Sequence, residues 1–514
     1  MPQTDPDRRA GILLHPTSLP GAYGNGDLGD EAFAFVDWLH SAGMRAWQML
    51  PLSPPGPANS PYMSMSLMAG NPMLINLERL AGCGWLDEAD LARVRAAAAP
   101  DPHRADLDAA ARARLRALRQ AFARFFDRQL PAQRRALADY RIAQADWLDD
   151  YALFMALGEE RPGAWTDWPH ELAHRHPAAL AGARRRLTGA IDFWCFVQWV
   201  FDGQWQALRA HATARDIQLI GDLPIYPAHC AEVWSAPHLF ELDAAGRPDV
   251  VAGVPPDYFS ETGQLWGNPL YRWPAHAGDG FAWWRRRIAR SMSHCDLLRL
   301  DHFRGFAGYW EVPAQATDAR AGRWRPGPGD ALFTALRAVD APMPLIAEDL
   351  GDITDDVLAL RRAFGLPGMA ILQFAFGDTA ANPYLPHNLD RQTVIYTGTH
   401  DNDTSQGWFA TADPAVRERV QIYFKCDGSD IHWELIHAAS ASVARLAVYP
   451  LQDVLGLDTR HRMNTPGLAQ AQWAWRFTPD QVQAWHGERL YRISAAHGRL
   501  PGAPAVGRPA SLSE

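Results

Sequence analysis

The chain predicts an α/β fold, a (β/α)8 TIM barrel carrying inserted, largely helical subdomains. Three observations point there: eight short apolar or β-branched runs, helical patterns between many of them, and acidic residues closing four of the runs. Near-continuous apolar strands alternating with helices belong to a parallel sheet covered on both faces, and eight of them favour a barrel. A buried strand that ends in a carboxylate loses solvation energy unless the carboxylate is put to use. Parallel barrels keep their chemistry at that carboxyl end.

The first two runs are Gly11 to Pro16 and Arg45 to Leu52. Between them, Glu31 to Gly43 has Phe33, Phe35, Val36, Trp38 and Leu39 at helical spacing. The third, Gln218 to Tyr226, contains Leu219-Ile220-Gly221-Asp222, and the fourth, Asp296 to Asp301, ends Leu298-Arg299-Leu300-Asp301. Pro344 to Leu350 follows, holding Ala347-Glu348-Asp349, then Met369 to Phe374. The seventh, Thr393 to Thr399, runs into His400-Asp401-Asn402-Asp403, and Leu446 to Pro450 completes the set.

We read residues 1–514 as a single catalytic barrel domain with two insertions. One, about 53–215, is helical; its Ala/Arg/Asp-rich part, Leu86 to Gln144, has Leu115, Leu118, Phe122, Phe125 and Phe126 at helical spacing and reads as a solvated helical insertion. The other, about 227–294, is loop-rich, and connections of that length usually serve function. The Pro/Ala/Gly/Ser tail 502–514 is expected to be disordered.

Composition narrows the partners. A net charge of −9 over 514 residues leaves no basic surface for nucleic acid or an anionic membrane, and Lys425 is the only lysine. The five cysteines are scattered, without CxxC spacing, which argues against a disulfide framework or structural zinc. The polar start and the absence of a long apolar run predict a cytoplasmic protein. No phosphate loop suggests a bound cofactor.

Acids without a phosphate loop point toward glycoside chemistry. On a strand, Arg299 and Asp301 share a face, so the guanidinium would keep Asp301 ionised as a nucleophile requires; the bland reading is a buried ion pair that fixes a loop. Glu348 and Asp349 face opposite ways, so one can act as a general acid while the other ties down the loop. Asp401 and His400 could grip sugar hydroxyls. The same chemistry leaves a rival open: His400, Asp401 and Asp403 with Asp301 and His302 are suitable metal ligands for a metal-dependent hydrolase. Trp234, Trp266, Trp273, Trp310 and Trp408 stand beside the expected active loops; most such rings are core, and one or two would face sugar.

At these residues the chain closely resembles the 4-α-glucanotransferases of the amylomaltase type, glycoside hydrolase family 77. The motifs are His15 to Pro20, Asn59-Ser60-Pro61-Tyr62, Gly70-Asn71-Pro72, Gly221 to Tyr226, Val251 to Phe259 and Gly267 to Tyr271. They continue through Arg299 to Phe306, Ala347 to Gly351, Gly398 to Thr404, Pro450 to Asp453 and Arg462 to Gly467, so that the resemblance covers about residues 11–477. It implies Asp301 as nucleophile, Glu348 as general acid/base and Asp401 as a third carboxylate that binds and distorts the sugar. It implies that Arg299, His302 and His400 surround that sugar and that Ser60, Tyr62, Asp222, Trp266 and Asn268 contact substrate. Asp257 to Gly263 resembles the family's loop over the cleft. No metal or cofactor is implied. The partners would be maltooligosaccharides, glucose and α-glucans, with the protein a monomer or weak homodimer.

Three positions depart from the family pattern: Met63 replaces a common Gln, Tyr226 to Glu232 is one residue short and lacks the usual Asp, and Gln472 replaces a common Asn. None touches the three carboxylates. Two alternatives stay open, an α-glucoside hydrolase with the same carboxylates and a non-catalytic glucan-binding protein.

Overall fold

All eight predicted runs contribute a strand to one sheet. The structure, a computed structural model, describes residues 8–98, 101–128, 131–256, 260–338, 343–468 and 472–500. The tail 502–514 and the first three residues of the Asp257 to Gly263 loop lie outside the described residues. In chain order the strands are β1 (Arg9–Leu13), β2 (Ala46–Gln48), β3 (Gln218–Leu223), β4 (Val250–Val254), β5 (Gln264–Pro269) and β6 (Leu297–Leu300). After them come β7 (Gly308–Pro313), β8 (Arg323–Pro326), β9 (Leu345–Ala347), β10 (Gly368–Ile371), β11 (Thr393–Tyr396) and β12 (Leu446–Pro450).

The barrel sheet runs β10-β11-β12-β1-β2-β3-β6-β9, every pair parallel. Its two ends meet where the Ala347 N–H donates to the Pro367 carbonyl at 2.9 Å, closing the ring. Strands β10, β11 and β12 are buried at every residue. Packing inside the barrel and under the helices explains why they read as continuous apolar runs.

The first crossover helix is Asp30–Ser41, which buries Ala32, Phe35, Val36 and Leu39. Asp30 and Glu31 sit in its first turn, where the helix dipole favours them. Between β2 and β3 the chain builds helices that include Glu88–Ala96, Leu107–Asp127, Pro131–Ala143 and Leu148–Glu160. The last of this stretch, Thr188–Thr213, leads into β3 and packs on it as the barrel's own crossover. Phe122 and Phe125 meet Phe196 of that helix with ring centroids 5.5 and 5.1 Å apart. The charge-rich segment is therefore solvated on one face only. Arg114, fully buried, donates to the carbonyls of Tyr23, Asn25 and Ile75 and to the Asp27 carboxylate, pinning the insertion to the loops after β1 and β2.

A second sheet was not legible from the sequence. Strands β5-β4-β7-β8, in that order, form a four-stranded antiparallel sheet beside the barrel mouth, two from the 227–294 region and two after β6. Only β4 (Val250–Val254) is an apolar run; β5 and β7 are broken by polar residues, Gly and Pro, and β8 is exposed at all four residues, so the sequence does not mark a sheet there.

Candidate active site

Register decides which side chains meet. Asp222 on β3 pairs with Arg299 on β6, and Leu300 pairs with Ala347 on β9. One residue further along, Asp301 and Glu348 leave adjacent strands at the same level. The Glu348 N–H donates to the Leu300 carbonyl at 3.1 Å, and the Phe303 N–H donates to the Glu348 carbonyl at 3.0 Å. Parallel register thus sets two acids side by side at the carboxyl end of the barrel.

Arg299 is the hub. Its Nη1 bonds both oxygens of Asp222, at 2.7 and 2.8 Å, while Nη2 lies 3.0 Å from Asp301 Oδ1. The Tyr62 hydroxyl donates to Asp222 Oδ2 at 2.7 Å. Asp222 is therefore engaged on both oxygens, with its side chain fully buried. The Ser60 hydroxyl accepts the Tyr62 N–H at 3.3 Å and shapes the turn that presents the phenol.

Glu348 is held by backbone donors. The His302 N–H reaches its Oε2 at 2.6 Å and the Leu350 N–H its Oε1 at 3.0 Å. His302 takes φ 49°, a left-handed conformation uncommon outside glycine, which turns its N–H toward Glu348 directly after the Asp301 strand end. Its ring lies 4.8 Å from that of Trp266, edge to face. Burial, with Arg304 nearby, lowers the His302 pKa to about 4, so the imidazole is neutral. Asp349 points the other way, accepting from Arg361 Nη1 at 2.7 Å and the Met369 N–H at 2.8 Å, and ties β9 to β10.

Burial raises the Glu348 pKa to about 8, with the Asp301 charge adding to it and Arg299 and the two N–H donors opposing. Asp301 is also raised, to about 6: burial, Asp222 and Asp401 outweigh Arg299. The ion pair expected from the sequence is present and pulls the Asp301 pKa down, but burial, with the Asp222 and Asp401 charges, leaves the net shift upward. Between these two values Asp301 is a carboxylate and Glu348 carries a proton, the division of labour that nucleophile and general acid require.

Asp401 lies across the mouth. Burial opposes its ionisation, but His400, Asn464 and Arg299 together hold its pKa at about 2. His400 Nε2 is 3.3 Å from Oδ2, and Asn464 Nδ2 donates to Oδ1 at 2.6 Å. Its side chain keeps 46% exposure, open to the cleft. The His400 ring stacks on Tyr62 at 5.2 Å, joining this corner to Asp222 and Arg299.

Asn268 donates to the Pro227 carbonyl at 2.8 Å and to Met63 Sδ at 3.4 Å, so a residue that departs from the family pattern sits against an expected substrate contact. Of the five tryptophans marked in the sequence, Trp266 alone lies among these residues. Trp234 and Trp273 are core, and Trp310 packs in the antiparallel sheet against Trp324. Trp408 lies near Phe376. Asp403 accepts from Thr459 Oγ1 at 2.9 Å and from the Thr404 N–H at 2.7 Å, turned from the acids that a metal reading grouped with it. Among the described residues no group of three or more His, Cys, Asp or Glu side chains is arranged to hold a metal.

Sequence reasoning gave no role to Asn464, Arg462 or Trp473. Arg462 Nη2 donates to the Asp401 carbonyl at 2.8 Å, and the Trp473 ring stands 5.8 Å from Tyr62 and 6.0 Å from His400. These residues come from the segment after β12, and the polar run Arg462-Met463-Asn464 was the signal available.

A family model described as 4-alpha-glucanotransferase matches residues 14–482. A 4-alpha-glucanotransferase of Thermus thermophilus is 48% identical over 96% of this chain and 99% of its own length. One of Synechocystis sp. is 47% identical over 96% and 98%. Among solved structures, the amylomaltase from Streptococcus agalactiae in complex with acarbose superposes with a TM-score of 0.92 at 36% identity, covering 96% of this chain and 99% of that one. The amylomaltase from Corynebacterium glutamicum shares the fold at a TM-score of 0.77 and 18% identity. With the matching model spanning residues 14–482, the chain belongs to the 4-alpha-glucanotransferase family, glycoside hydrolase family 77.

Proposed function

We propose that this protein transfers α-1,4-glucan segments from a donor chain to the 4-hydroxyl of glucose or a second glucan, by a retaining double displacement. The observation that carries the reading is the pair of acids leaving adjacent parallel strands at one level, Asp301 against Arg299 and Glu348 buried on two backbone N–H donors.

Glu348 gives its proton to the glycosidic oxygen as Asp301 attacks the anomeric carbon. The leaving chain departs and a glycosyl ester forms on Asp301. Glu348, now a carboxylate, takes the proton of the acceptor hydroxyl, whose oxygen attacks the same carbon and frees Asp301. Asp401, held ionised, grips sugar hydroxyls at the cleaved bond and stabilises the positive charge that develops there. Tyr62, His400, His302 and Trp266 surround the sugar, with Ser60 and Asn268 on the substrate path. Asp222 acts through Arg299. Transfer in place of hydrolysis requires an acceptor to occupy the cleft and keep water from the ester. The 36% identical amylomaltase binds acarbose, which supports an oligosaccharide ligand.

Product analysis on maltotriose tests this. Glucose together with maltotetraose and longer chains is the expected outcome; glucose and maltose alone would assign hydrolysis. Asp301→Asn should lower turnover by about 10^4-fold, and unchanged turnover would return the protein to a binding role.

A further inference from the structure

The antiparallel sheet has two edge strands, β5 and β8, and each turns a tryptophan onto the segment that follows Asp301. From β5, Trp266 meets His302. From β8, Trp324 has the Arg304 guanidinium carbon 3.9 Å from its ring centroid. Its cross-strand partner on β7 is Trp310, and the two rings meet at 70° with centroids 5.3 Å apart. The Trp310 indole is fixed in turn, donating to the Ala319 carbonyl at 2.8 Å. Arg304 is anchored to the loop that follows Glu348, through the Asp352 carbonyl and, at 3.3 Å, Thr354 Oγ1.

Trp324 is thus supported on one face and along one edge, and still keeps 41% of its surface exposed. Leaving so large an apolar ring in water forgoes burial energy. A cation beneath it and an aromatic beside it have already removed its rotational freedom, so a ligand laid on it would find a preorganised surface. A flat rigid face with guanidinium donors nearby matches a pyranose, whose C–H face stacks while its hydroxyls bond outward. Three strand spacings, ~14 Å, separate the β5 and β8 edges, a span of a few sugar rings along an extended chain.

We propose that Trp324 is a stacking subsite at the rim of the cleft, holding a distal glucosyl unit of a long glucan whose reacting bond lies at Asp301. The occupant is the substrate's own chain, since the support of Trp324 runs through Arg304 to both acid-bearing loops. The inference rests on the transferase reading above and adds a determinant of chain-length preference.

The test compares disproportionation of maltoheptaose with that of maltotriose in wild type, Trp324→Leu and Trp324→Phe. Leu keeps apolar bulk without a flat face; Phe keeps a ring. Trp324→Leu should lower the maltoheptaose-to-maltotriose ratio of kcat/KM by about three- to tenfold, through KM, and Trp324→Phe should restore most of it. Because β8 is exposed along its length, both variants should stay folded at the assay temperature, Trp324→Leu losing only the Arg304 and Trp310 ring contacts. A ratio unchanged in Trp324→Leu overturns the subsite, as does an equal loss on both substrates or an equal loss in both variants. Failure of the wild type to disproportionate maltotriose would instead overturn the transferase reading.

Discussion

At the scale of single residues, two neighbouring carboxyls come to hold different protonation states. Glu348 accepts from two backbone N–H donors, and burial dominates its pKa; Asp301 faces one arm of Arg299 while Asp222 holds the other. The expected pH profile of kcat/KM is a bell. Activity rises as Asp301 loses its proton through about pH 6 and falls as Glu348 loses its own through about pH 8. In Glu348→Gln the residual activity should lose the alkaline limb, and a limb that persists there would take the assignment away from Glu348. Asp401 titrates far below both, because Asn464 and His400 bond its oxygens, so it stays charged across the working range.

At the scale of elements, strand ends and register do the positioning. The side chains of Arg299 and Asp301 share a face because strand residues alternate, and that much was readable from Leu298-Arg299-Leu300-Asp301. That Asp222 would face Arg299 was not, because pairing across β3 and β6 is set by how the whole barrel closes. Close strand approach also has a sequence signature. Gly11 on β1 pairs with Ala46 on β2, and a Cβ added at Gly11 would meet the Ala46 carbonyl oxygen at 2.5 Å. Gly11→Ala should destabilise the protein by ~1–3 kcal/mol in denaturant titration, since backbone and not a flexible side chain is in the way. An unchanged midpoint would mean that the strands can part there at no cost.

For the whole molecule, the barrel supplies the acids while the surrounding segments make them a cleft. The insertion between β2 and β3 carries Tyr62, the antiparallel sheet carries Trp266, and the segment after β12 carries Asn464 and Trp473. Arg114 fastens the helical part of the insertion to the barrel loops through three carbonyls and Asp27. Arg114→Ala removes the counter-ion on Asp27 Oδ2, leaving a buried carboxylate held only by the Gly29 N–H and the Asn76 amide on its other oxygen, so a loss of ~3–5 kcal/mol is expected in equilibrium unfolding. A loss below 1 kcal/mol would show that the insertion docks through its apolar face alone.

The sequence by itself determined the barrel and which acids lie at the ends of its strands. Apolar runs record two-sided burial and acid-tipped ends record what each strand delivers, and both are local patterns. Only the tertiary structure decided that Asp301 is buried beside Asp222 and Asp401, which leaves its pKa above the usual carboxylate value despite Arg299. The tertiary structure also supplied the four-stranded sheet, and it brought the Asn464 amide onto Asp401. These are long-range pairings between residues tens to hundreds of positions apart. Charge balance and burial depend on which neighbours arrive, and that is settled when the ring closes.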